Sequence, residues 1–103
     1  MIALESAAPP ARPDRPATRV LHDEANLRVV AFHLLPGQTV PPHRSTSTVL
    51  VQVIAGEGTF GGEDGEATLG AGECAVYRPG EMHSIEARSS ALVFHAVIAP
   101  RPG

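Results

Sequence analysis

Lysine is absent from this chain: all eight of its basic side chains are arginine. Without a lysine amine, neither a Schiff base nor a lysine general base is available. Eight arginines against eleven acids leave a formal net charge of −3, so the clustered positive charge of a nucleic-acid surface is missing too. Tryptophan is also absent, and Phe32, Phe60, Phe94 and Tyr77 are the only aromatics, too few for a base-stacking platform or an aromatic cage. Cys74 is the single cysteine, which excludes an internal disulfide, a thiolate metal cage and a CxxC redox pair. No base adjoins it in sequence to lower its pKa, so it reads as a small buried hydrophobe. No apolar run approaches the roughly 18 residues of a membrane span, and no basic segment followed by an apolar one opens the chain. The expectation is a cytoplasmic protein with neither membrane nor nucleic-acid partners.

What is present points to one small β domain. The first 17 residues, "MIALESAAPPARPDRPA", hold four of the ten prolines and no periodic pattern, and read as an arm that cannot pair as a strand. The domain, 18–103, follows as short β-branched or apolar runs at 27–35, 47–55, 57–60, 66–69, 73–78, 82–87 and 91–98, separated by turn residues. Seven of the ten glycines fall between 56 and 72. No GK[ST] follows them and no helix is available, so they mark hairpin turns rather than a phosphate cradle. This is the pattern of an all-β sandwich or barrel.

Two histidines stand in similar settings, His43 in "PPHRSTSTVLVQVI" and His83 in "RPGEMHSIEA". In an alternating strand His43, Ser45, Val49, Val51 and Val53 share one face, giving an apolar interior with polar groups at one end. Leu50 and Ile54 then point the opposite way and need a cover: the flank of a second sheet, the arm or another subunit.

"PGQTVPPH", "VLVQVIAGEG" and "LGAGECAVYRPGEMH" resemble the two motifs of the cupin superfamily. The first motif runs Gly, five residues, His, one residue, His, three or four residues, Glu, six residues, Gly. Gly37, His43 and Gly56 match it, while Ser45 and Val49 stand at the second histidine and the glutamate. Of the second motif, Gly72, Gly80 and His83 match, Arg78 replaces a proline and Ala87 an asparagine. The resemblance covers about 27–98 and implies a double-stranded β-helix, or jelly-roll barrel. It also implies a pocket holding one divalent transition metal (Zn, Ni, Fe or Mn) on three histidines and a glutamate. Here His43 and His83 remain of that set, with His95 in "ALVFHAVIAP" as the third ligand if a turn at Ser89 and Ser90 brings it opposite 83–84. A one-residue slip sends His95, like His33, to the other face, where each is a hydrogen-bonded strand residue.

For His43 and His83, weak metal binding and a merely polar pocket lining both remain open, since two imidazoles fall short of the usual three ligands. Ser45, Val49, Tyr77 and Arg78 are the pocket residues, Glu81 is read as solvated and His22 as exposed. The function expected is that of a small-molecule-binding cupin with a reduced metal site. The alternative is a metal-dependent cupin enzyme, either a mononuclear dioxygenase or an isomerase or decarboxylase of a small acid or sugar. A homodimer is expected from the uncovered apolar face.

Overall fold

The computed structural model describes residues 1–102, in which nine strands and no helix are found. They are β1 (Ala17–Glu24), β2 (Leu27–Leu34), β3 (Thr39–Arg44), β4 (Thr48–Ala55), β5 (Glu57–Gly62), β6 (Gly65–Gly70), β7 (Cys74–Tyr77), β8 (Met82–Ala87) and β9 (Leu92–Ala99). One sheet has five strands in the order β1-β2-β9-β4-β7 and the other four in the order β3-β8-β5-β6, with every pairing antiparallel.

Alternation decides which side chains meet between the sheets. Along β4, Val49, Val51 and Val53 are buried, whereas Leu50 is half-buried and Ile54 exposed. Along β9, Leu92, Phe94 and Ala96 turn into the same layer, and β8 contributes His83, Ile85 and Ala87 from the opposite sheet. Phe94 sits at the centre, fully buried, stacked on Phe32 at 4.6 Å between ring centroids and met edge-on by Phe60 at 5.5 Å. Offset and edge-to-face contacts of this kind contribute beyond the area they bury.

Two strands escape the sequence pattern. β1 is an edge strand whose Arg19, His22 and Asp23 dilute its apolar period. β3 contains Pro41 and Pro42, which a ladder interior excludes, but both lie where the register to β8 shifts between Val40 and His43. The irregularity of an edge strand is where proline is tolerated. One run is also divided. His43 and Val49 do not share a strand, because the chain leaves the four-stranded sheet after Arg44 and enters the five-stranded sheet at Thr48.

Before Ala17 the chain lies along the outer surface of β2. The Pro9 carbonyl accepts from His33 Nδ1 at 2.9 Å, the Ala7 carbonyl from Arg19 at 2.6 Å and the Arg12 carbonyl from Gln38 at 2.7 Å, and Pro9 is buried. Cys74 is exposed, not buried as its surroundings in sequence suggest. It begins β7, an edge strand, opposite Gln52, and its side chain falls on the outer face.

Candidate functional site

The bulge in β3 that accommodates Pro41 and Pro42 brings His43 directly opposite His83 on β8. Their ring centroids are 4.2 Å apart, with the rings inclined at 65°. His83 is only 5% exposed, whereas His43 is open to solvent. His43 Nδ1 lies 3.0 Å from the Pro41 carbonyl. A carbonyl only accepts, so that nitrogen carries the hydrogen and Nε2 of the neutral ring keeps a lone pair. Tyr77 also stacks on His83, at 4.5 Å and 26°.

The pair stands at one end of a cavity of about 420 Å³ between the sheets, with Val49, Phe94 and Ile98 on one wall and Ile85 on the other. Ser45 and Thr46, in the connection between β3 and β4, complete its polar end. Ser45 is also tied into the turn: its hydroxyl accepts from the Ser47 amide at 3.1 Å and its carbonyl from the Gly80 amide at 2.7 Å.

Of the residues singled out from sequence, the cavity gathers His43, His83, Ser45 and Val49. Tyr77 stacks on His83 but is not on the cavity lining, and Arg78 is exposed on the loop before Gly80. His95 does not join the histidine pair. Ser89 and Ser90 do not close a hairpin but carry the chain from one sheet to the other, so β8 and β9 are not neighbours. Within β9, Phe94, Ala96 and Ile98 face the cavity, which turns His95 outward between Ala31 and Gln52, with Nε2 buried and unpartnered. His33 faces the same outer side and meets the arm. Glu81 is not merely solvated: its two carboxylate oxygens accept from the amides of Arg78 at 3.0 Å and Glu63 at 3.3 Å. His22 is half-buried, 3.6 Å from Glu24. Among the described residues, no group of three or more His, Cys, Asp or Glu side chains is placed to hold a metal ion.

Residues 29–103 match the family model of the AraC-like ligand binding domain. The chain belongs to that family. Its fold is that of the cupin superfamily, as the solved structures it resembles show. A protein of Thermus thermophilus matches this AraC-like domain with a TM-score of 0.87 and 26% identity, covering 91% of either chain. A Klebsiella pneumoniae protein described as having a double-stranded β-helix domain matches with a TM-score of 0.84 and 27% identity, over 93% of this chain and 86% of that one. An RmlC-like cupin of Desulfovibrio desulfuricans matches with a TM-score of 0.81 and 25% identity, over 90% of each. No curated protein matches.

Charge in the AraC-like domain is arranged around the cavity mouth. Arg44 donates from Nη1 to Glu63 Oε1 and, at 2.7 Å, to the Gly80 carbonyl. Glu63 Oε1 also accepts from the Met82 amide at 3.0 Å, and this bond together with Arg44 holds its carboxyl below the usual carboxylate range. Sequence offered no signal for this cluster, because Glu63 lies 19 residues from both Arg44 and Met82 and sits in what reads as an ordinary acidic turn. Burial, with some help from Glu81, pushes the Tyr77 hydroxyl up to about 12, so it stays protonated.

Burial also pushes His83 below the ordinary imidazole range, with the neighbouring His43 adding to the shift and Glu81 opposing it. The neutral ring is therefore the form that the fold favours. Above the unfolded value of about 6.5 the corresponding stability is fully present, and it is lost as pH falls from there through the folded value. Urea midpoints of the AraC-like domain should accordingly drop between pH 7.5 and pH 5. His83→Gln should flatten that dependence, and an unchanged slope in the variant would place its origin elsewhere.

Proposed function

We propose that this domain binds a small organic molecule in the cavity between its sheets, with His43 and His83 recognising the polar end. The observation that carries the reading is the shape and chemistry of the cavity: about 420 Å³, apolar along its walls, with polar groups converging at one end. That combination characterises small-molecule sites. A divalent transition metal is at most a weak addition. Two imidazoles fall short of the three protein ligands that usually hold such an ion, and Ser45 and Val49 supply a poor donor and none. His43 Nε2 is nevertheless free to ligate, which supports weak uptake of Zn or Ni and keeps a metal-dependent enzyme as the second reading.

The test is an NMR titration with 1-tetralol, whose two fused rings suit the cavity. Amide shifts should cluster on β4, β8 and β9 at residues that face inward. Ala96→Phe, which adds a ring to the cavity wall, should weaken binding more than about tenfold, whereas Gln52→Ala on the outer face should leave it unchanged. Shifts confined to the outer face would overturn the reading. Zn added to the same protein should be taken up weakly and lost with His83→Ala, and tetralol binding should not require it. One tightly held ion per chain, needed for binding, would favour the enzyme.

We further propose a homodimer through the outer face of the five-stranded sheet, where Val76 is 56% and Ile54 42% exposed beside Leu50 and Val97. Large apolar side chains gathered on an open sheet face are costly to leave in water. Sedimentation at micromolar concentration should show twice the 10.8 kDa chain mass. Leu50→Arg should return the monomer. A loss of stability with no change in mass would instead make this face part of the monomer's own packing.

A further inference from the structure

Building on the reading of the cavity as a small-molecule site, we infer that its ligand is uncharged and that Glu63 sets this preference by occupying Arg44. Among the described residues, Arg44 is the only permanently charged side chain on the cavity lining, and no carboxylate side chain lies there. Its guanidinium is already engaged by Glu63 and by the Gly80 carbonyl.

The counterion is built into the fold rather than left to chance on a long flexible side chain. Glu63 is fixed at both ends: its carboxylate accepts from the Met82 amide at 3.0 Å, and its own amide donates to Glu81 at 3.3 Å. A ligand carboxylate arriving at the mouth meets a cation whose charge is already matched. An ammonium meets no acidic side chain among the described lining residues. The polar groups left to a ligand are Thr46, the exposed His43 ring and the buried His83 ring. A neutral imidazole offers one donor and one acceptor, so it suits a hydroxyl or carbonyl oxygen. Past these groups the walls are Val51, Ile85, Phe94 and Ile98, which give an ion nothing to replace its water.

Size follows from the same cavity. A dry cavity of about 150 Å³ accommodates benzene. About 420 Å³, open at one end, therefore takes a body of one or two rings or the equivalent chain. The ligand class is a neutral, largely apolar molecule with one hydroxyl or carbonyl at its end.

The experiment compares three molecules on one skeleton, 1-tetralol, tetralin-1-carboxylate and protonated 1-aminotetralin, by calorimetric titration of the full chain at pH 8, above the ordinary imidazole range. The alcohol should bind at least about tenfold more tightly than either ion. Glu63→Gln keeps an acceptor for the Met82 amide but removes the charge facing Arg44. It should tighten carboxylate binding about two- to fivefold, as expected for an exposed ion pair released to a new partner, and leave the alcohol unchanged. Glu63→Ala should do the same if the glutamine variant folds poorly. Arg44→Gln should remove the gain in the double variant. A carboxylate that equals or beats the alcohol in the unaltered protein, or is indifferent to both Glu63 variants, overturns the inference and leaves the cavity assignment standing. If none of the three binds, the cavity assignment itself fails.

Discussion

Gly56→Ala should destabilise the domain by at least about 3–4 kcal/mol, a large share of the roughly 5–15 kcal/mol that holds a typical small domain together. Two effects combine there. The backbone of Gly56 has φ of +77°, a left-handed conformation that costs a residue with a Cβ about 1–2 kcal/mol. In addition, a Cβ built on Gly56 would lie 1.7 Å from the Ala91 carbonyl oxygen, and that obstacle is backbone, not a side chain able to swing aside. The topology explains the crowding. Gly56 is where the chain crosses from β4 in one sheet to β5 in the other, and Ala91 is where it crosses back from β8 to β9. The two crossings lie against each other. Gly72→Ala is the comparison: φ there is +88°, but nothing lies within 4 Å of the added carbon, so only the conformational cost of about 1–2 kcal/mol should appear. Urea unfolding of the two variants side by side decides the matter, and equal losses would mean that the crossings are not packed as described.

Phe94→Ala should lose about 3–5 kcal/mol by the same measurement, as full truncation of a buried aromatic generally does. Phe94 has no exposed surface, fills the space between Phe32 and Phe60, and forms part of the cavity wall. Its removal enlarges the cavity, so the variant that still folds at low temperature should accept a larger neutral probe than 1-tetralol. A loss under about 1.5 kcal/mol would show that the site collapses around the missing ring and that the cavity is not rigidly held.

The strands with a clean period were legible in the sequence. "VLVQVI" and "MHSIEA" lie in runs read as strands, and Val49, Val51, Val53 and His83 turn inward as expected. β3 was not legible, because two prolines argue against a strand wherever a bulge is not foreseen, and a bulge is a property of the pairing with β8. β1 was hidden by the polar residues that an edge strand carries toward solvent.

The site shows the same division. Their settings and the resemblance to the cupin motifs singled out His43 and His83, and strand pairing sets them face to face. The place of His95 depended on whether Ser89 and Ser90 make a hairpin or a crossing between sheets, and short polar turns of that kind serve either purpose. The crossing put β9 between β2 and β4, and the inward turn of Phe94 then sent His95 outward. The bond from Arg44 to Glu63 was beyond local pattern altogether, since it joins β3 to the β5–β6 turn.

By itself the sequence determined the class of fold and most strands of the core, and it pointed to the two histidines of the candidate site, because period, turn residues and motif spacing are local quantities. Which strands become neighbours, which way His95 and Cys74 face, and which acid neutralises Arg44 were decided only by tertiary structure. Those are consequences of sheet order and of contacts between segments far apart in the chain, and one-dimensional spacing carries no trace of them.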